Sequence, residues 1–399
     1  MTNTHKPRIW TRDFISIAIS NFFIFVVFYD LLTLLPVYVV DGLKETEAKA
    51  GLVITIFLLS AIFVRPFSGK IIDLLGKKKA LLIGMSLFAL SSFLYVWTDD
   101  FYLLMGLRFF HGVWFSIVTT VAGAIAADIV PNKRRGEGLG YFAMSMNLAM
   151  VFGPFIALTL NQYVSFEAIY VLFGIIMVIG VLLSLFVKVP AQAQPAKVKA
   201  KLTFDDLFER SVFPIAIVGS LLAFTYSSII SYISIFAKSL GLMDAAGFFF
   251  VVFAVAILVS RPFTGRMFDI KGPASVIMPA FVIFSIGMIT LSFTQTSWML
   301  LLSGALIGLG YGTIVPSFQT LAVQSAENHR SAHATATFFT LFDTGIASGS
   351  FVIGIVVVNI GYQNLYMIGG FFILGIMMLY KLVQQKRTEK ESYEARMEY

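Results

Sequence analysis

The sequence has no cysteine. That excludes disulfides, cysteine-ligated zinc, iron–sulfur clusters and thiol nucleophiles together. Charge is also scarce: Asp, Glu, Lys and Arg make up 13% of 399 residues, against ~25% in an ordinary soluble domain. No Walker A sequence occurs, so the chain shows no sign of driving work with ATP. No Asn-x-Ser/Thr sequon occurs either. No polar stretch is long enough to form a soluble appended domain, which argues against a receptor or scaffold. No nucleophile–base pair or metal-ligand cluster stands out, which argues against an enzyme. His329 and His333 are spaced i,i+4 but have no third ligand nearby in sequence, so no metal and no cofactor is expected. What is abundant is apolar. The chain is 58% hydrophobic, with 41 Phe and 31 Gly. A membrane helix uses ~20 apolar residues.

Twelve apolar segments are predicted as membrane-spanning helices: 13–40, 49–70, 80–97, 101–127, 137–160, 167–187, 211–237, 245–267, 275–294, 298–325, 334–359 and 365–381. Continuous runs of this length suit helices, whereas a barrel would alternate over ten-residue segments. The first run is too long for a signal-peptide core, and no small-residue cleavage site follows it. With the N-terminus inside, 23 Lys and Arg fall in inner connections and tails and only Lys44, Lys49 and Lys238 in outer ones. Both termini are therefore expected in the cytoplasm. The same distribution accounts for the +7 net charge without a nucleic-acid partner. The longest internal polar stretch, 188–210, reads as a cytoplasmic linker. It separates a six-helix bundle at 1–187 from a second at 211–381, and a cytoplasmic tail follows at 382–399.

The halves repeat. "RPFSGKIIDLLG" at 65–76 returns as "RPFTGRMFDIKG" at 261–272. The same offset of 196 carries Gly112 to Gly308 and Gly153 to Gly349. This pattern indicates a duplicated six-helix unit with both copies in one orientation, an arrangement suited to a transporter.

These residues resemble the major facilitator superfamily, and within it the twelve-span drug:proton antiporters. "GKIIDLLGKKK" at 69–79 is similar to the loop motif between spans 2 and 3, matching at Gly69, Asp73, Gly76, Lys77 and Lys78. "GLRFFHGVWFS" at 106–116 is similar to the span-4 arginine motif, matching at Arg108 and Gly112. "AMVFGPFIAL" at 149–158 keeps Gly153 and Pro154 of the span-5 antiporter motif. The resemblance implies an all-α membrane protein of two parallel six-helix bundles, monomeric by default, that moves a small molecule through the bilayer by alternating access. It implies a gating role for the 2–3 loop, in which Asp128 is the expected partner of the lysines. It also implies a cavity lined by spans 1, 4, 7 and 10. Cavity candidates are Tyr29, Tyr38, His111, Trp114, Phe224, Tyr226, Tyr232 and Tyr311.

Ionisable residues inside a membrane are the sharpest site signals, because each costs ~2.5–3.5 kcal/mol at a helix centre. Asp30, Arg65, Arg108, His111, Arg261 and Asp343 qualify. At ~1.5 Å per residue, Asp30 and His111 lie ~15 Å and Arg108 ~10 Å from the outer surface, so the three are expected to meet. Asp30 is predicted to couple transport to protons, with Arg108 as its modulator: burial favours the neutral carboxyl, a nearby guanidinium the charged one. Arg65 and Asp343 lie at similar depth, ~12 and ~13 Å from the inner surface. They are predicted to pair across the halves and close the cytoplasmic side, which makes Asp343 a second proton candidate. Gly153 and Pro154 are expected to bend span 5, and Arg261 to act as the repeat counterpart of Arg65. The function predicted is proton-coupled efflux of small amphiphilic compounds. The alternative is proton-coupled transport of one specific metabolite, which predicts several charged pairs in the cavity.

Overall fold

The computed structural model describes residues 8–45, 47–161, 163–189 and 203–397. Most of the linker predicted at 188–210 lies outside them. The first six helices are α1 (Arg12–Val37), α2 (Glu47–Leu75), α3 (Lys77–Leu94), α4 (Phe101–Ile129), α5 (Arg135–Leu160) and α6 (Phe166–Phe186). Then come α7 (Phe213–Ser239), α8 (Met243–Lys271), α9 (Ala274–Ser292) and α10 (Ser297–Ser325). A last helical stretch, Ser331–Met397, breaks at Gly361, whose φ is 76°. Its two parts, 331–360 and 362–397, are α11 and α12. Among the described residues ten segments are long and apolar enough to cross a membrane, and one of them, Ser331–Gln385, spans 55 residues. That is more than twice the ~20 a crossing needs, so it holds two.

Local chemistry sets the ends. Thr11 Oγ1 accepts from Phe14 N at 3.2 Å and starts α1, and Asp100 Oδ1 accepts from Leu103 N at 2.9 Å and starts α4. Such side chains satisfy amide groups that the first turn leaves open. α2 and α3 are joined by Gly76 alone, at φ 79°, and α8 ends on Gly272 at φ 86°. Only glycine enters that left-handed region without a penalty.

The chain divides into two compact units. One comprises Met1–Glu209 with Ala326–Thr337, and the other Arg210–Ser325 with Phe338–Tyr399. Residues 326–337, the connection into α11 and its first turns, thus belong with the first unit.

Each unit is built on close helix approaches at glycine. In the first, a Cβ on Gly112 of α4 would overlap the Phe57 carbonyl of α2. In the second, a Cβ on Gly308 of α10 would overlap the Phe253 carbonyl of α8. These pairs are related by the same offset of 196. Gly153 of α5 meets α1 and Gly349 of α11 meets α7 in the same manner. Small residues that let backbones touch are the usual means of joining helices where lipid removes the hydrophobic drive. Large apolar side chains face outward, among them Phe63, Phe263 and Phe351.

Candidate functional site

Asp30 is fully buried on α1, and neither of its carboxylate oxygens accepts a hydrogen bond among the described residues. The Gly153 region of α5 packs directly on it: a Cβ at 153 would stand 3.0 Å from Asp30 N and 2.8 Å from Tyr29 Cβ. Burying a polar group without a partner is costly, and burying an unpaired charge more so. The fold accepts that cost at Asp30.

Arg108 is also fully buried, on α4. Its Nε donates to the Val53 carbonyl at 3.2 Å and its Nη1 to the Tyr95 hydroxyl at 3.4 Å. Its guanidinium lies 4.1 Å above the Phe57 ring, a geometry in which the ring's negative face supports the cation. None of these bonds goes to Asp30. His111, one turn along α4, has its Nδ1 3.0 Å from the Tyr95 hydroxyl and its ring 4.0 Å from that of Phe88. The arginine and histidine thus share Tyr95, at the end of α3. His111, predicted to line the cavity, is enclosed by α2, α3 and α4 instead, because the ring fits between Phe57 and Phe88. Tyr95 was not foreseen, since nothing in its sequence neighbourhood sets it apart from other tyrosines at span ends.

Arg65 and Arg261 occupy equivalent positions, but the helices they face differ. Arg65 Nη1 donates to Thr119 Oγ1 at 3.4 Å. Arg261 Nη2 donates to the Gly312 carbonyl. That carbonyl is the one Pro316 leaves open, because proline has no N–H to return to residue i−4. Arg261 thus replaces a missing helix bond in α10, and the repeat position of Pro316 in α4 is Thr120, which needs no replacement. A double-mutant cycle is expected to show this. Arg261→Ala alone should cost ~1–3 kcal/mol, the penalty for a buried acceptor left open. In a Pro316→Ala background the backbone closes the bond and the cost should fall by half or more. Equal costs in both backgrounds, read by thermal unfolding in detergent, would remove the assignment.

At the other end of the first unit the turn residues form a network. Lys77 Nζ donates to Asp128 Oδ2 at 2.5 Å and to Ser331 Oγ at 2.8 Å, and Ser331 Oγ donates to Asp128 Oδ1 at 3.0 Å. Lys78 Nζ donates to the carbonyls of Ser184, Leu185 and Val187, at 2.6, 2.8 and 2.6 Å, and so caps α6. Asp73 Oδ2 lies 3.5 Å from His333 Nδ1, and Lys70 lies 3.8 Å from Asp206. Gly69 packs on the His333 ring. Ser331, His333 and Asp206 were not foreseen as parts of this network, because they are 127 or more residues away in sequence.

In the second unit, Tyr226 and Tyr311 stack at 3.6 Å between ring centres and are buried. Tyr232 donates to the Ser350 carbonyl at 2.7 Å. Phe224 is half-buried on α7, its carbonyl close to Gly349. Asp343 is half-buried on α11, as is Trp114 on α4. Pro154 lies within α5. Among the described residues no group of three or more metal-ligating side chains occurs.

The family model of the Major Facilitator Superfamily matches residues 17–350 and 243–397. An uncharacterized MFS-type transporter of Methanocaldococcus jannaschii is 24% identical over 83% of this chain and 87% of its own. The multidrug resistance protein MdtG of Enterobacter lignolyticus is 24% identical over 94% and 92%. Among solved structures, the human organic anion transporter TETRAN superposes with a TM-score of 0.79 at 15% identity, covering 94% of this chain and 100% of that one. The fucose:proton symporter FucP of Escherichia coli superposes at 0.75, also at 15% identity, covering 94% and 99%. At such identity the structural likeness establishes the fold: twelve membrane-spanning helices in two six-helix repeats.

Proposed function

The chain belongs to the major facilitator superfamily and is a multi-pass membrane transporter, and from that premise we propose that it exports small lipophilic or amphiphilic compounds from the cell in exchange for protons. The observation that carries the reading is Asp30, a buried carboxyl that receives no hydrogen bond. A carboxylate in that setting has nothing to offset its charge, and a proton removes the charge. Binding and release of a proton therefore change the energy of the packing between α1 and α5. Arg108, a fixed cation held by Tyr95 and Val53 in the same unit, biases that step.

Efflux of amphiphiles is supported by the likeness to proteins named for multidrug resistance and by the scarcity of charge inside the spans. Both termini are assigned to the cytoplasm on the distribution of Lys and Arg. The turn network around Lys77 then lies at the cytoplasmic end and is assigned to gating. The pairing of Arg65 with Asp343 is carried into this proposal from their matched depth along the sequence.

Everted vesicles with an acid interior test the whole. Amphiphilic cations and neutral dyes should accumulate inside and release protons as they do so. If no compound in a broad panel is accumulated or moves protons, the antiport reading is lost.

A further inference from the structure

His333 lies in the segment 326–337 of the first unit, and its side chain is 2% exposed. Both ring nitrogens face oxygen acceptors. Nδ1 is 3.5 Å from the carboxylate of Asp73, at the end of α2. Nε2 is 3.2 Å from the backbone carbonyl of Asp206. The ring is held against α2 as well, since a Cβ on Gly69 would stand 2.9 Å from its Cδ2. A neutral imidazole has one N–H and one lone pair. Between two acceptors it satisfies one and sets its lone pair against the other. An imidazolium donates to both.

The surrounding charges are mixed. Arg330 and His329, on the same segment, bear on this pair, and so does Lys77 of α3 through Asp73. Glu209 faces His333 from the segment 203–209 and also pairs with Arg330. Lys70 lies beside the Asp206 side chain. Burial and Arg330 oppose a charge on His333, while Asp73, Glu209 and the Asp206 carbonyl favour it. Burial outweighs the rest and lowers the His333 pKa from the ordinary histidine value; a proton on the ring would add to the Asp206 contact an ion pair with Asp73.

The position matters because the chain leaves this unit here. Residues 203–209 run directly into the second unit at Arg210, and 326–337 run into it at Phe338. The two segments are joined to each other by Glu209 N donating to Thr337 Oγ1 at 2.8 Å and by Arg330 donating to the Asp205 carbonyl at 2.7 Å. His333 Nε2 lies within hydrogen-bond reach of the 203–209 segment, while its Nδ1, which makes no hydrogen bond among the described residues, lies within ion-pair distance of Asp73 at the end of α2.

We propose that His333 is a regulatory proton-binding site, separate from Asp30: protonated, it clamps the end of α2, residues 203–209 and the start of α11 together, and neutral, it releases one of the two acceptors. On the functional reading above, acidification at this face would slow the carrier by tightening the clamp. The clamp itself can be tested without transport.

Nitroxide pairs report it directly, because the native chain has no cysteine to replace. Lys79→Cys and Glu327→Cys place labels at exposed positions of the α3 start and the 326–337 segment. Distances are read by pulsed electron resonance in detergent at about pH 5 and about pH 8, the acid value set well below the ordinary histidine value near ~6.5 because burial lowers the His333 pKa. The labelled protein should show one short distance at acid pH and a second, longer population at alkaline pH. The ratio of the two should change about tenfold, the ~1.4 kcal/mol equivalent of losing one charge-assisted hydrogen bond. His333→Arg should keep the short distance at both values, since its charge does not titrate. His333→Gln should give the same mixture at both, and His329→Gln should respond as the parent does. An unchanged distribution in the parent between the two pH values, or a parent-like response in His333→Gln, overturns the proposal. Should His333→Gln fail to fold, the parent and His333→Arg decide it between them.

Discussion

Asp30→Asn is expected to abolish uphill transport while leaving the protein folded and no less stable. One pH unit is ~1.4 kcal/mol, so each proton exchanged sustains up to a tenfold substrate ratio across the membrane. With an imposed gradient of about one unit, everted vesicles carrying the parent should approach that ratio. Those carrying Asp30→Asn should settle at equal concentrations on both sides, because the amide takes up no proton. Stability should move the other way. The Asp30 oxygens receive no hydrogen bond, so the substitution breaks none and exchanges a buried ionisable carboxyl for an amide of the same shape that carries no charge. Thermal unfolding in detergent should hold or rise. A variant that folds and still accumulates substrate ends the coupling role, and a variant that loses several degrees shows that Asp30 has a structural partner.

Gly112→Val and Gly308→Val should each be near-lethal to folding, and to a similar degree. The new side chain would displace the Phe57 carbonyl in one case and the Phe253 carbonyl in the other. Neither is the tip of a flexible side chain; each is helix backbone. Overpacking of a core costs ~1–3 kcal/mol where side chains can shift, so a clash with backbone belongs at or above the upper end. Gly106 has open space around it, and Gly106→Val serves as the control expected at parent levels. Normal amounts of folded protein from either repeat variant would mean that α2–α4 or α8–α10 packing yields more easily than the close approach implies.

The repeat pair shows how much of the fold was legible in the sequence. Gly112 and Gly308 stand at one offset, and the structure gives each the same neighbour at that offset, Phe57 and Phe253. Helices were legible because lipid leaves the backbone no other way to satisfy its own hydrogen bonds. Turn glycines were legible because Gly76 and Gly272 repeat in a matched sequence. The site was less so. Depth along a helix predicts level but not azimuth, which is why Asp30 and Arg108 could be placed at similar depths yet Arg108 bonds Tyr95 and Val53 instead. Arg65 and Arg261 look alike in sequence, and only the Pro316 of the facing helix reveals that one of them completes a backbone. His333 carried no motif, and its meaning came from residues on two distant segments.

The three carbonyls held by Lys78 give one charge two duties at different times. On the proposed orientation, a lysine at this point between α2 and α3 belongs, before the helices meet, to the basic flank that sets topology. After they meet, the same ammonium closes the C-terminal end of α6, where the helix dipole welcomes a cation. One ammonium thus serves first as a charge that sets topology and then as the closing partner of a helix end.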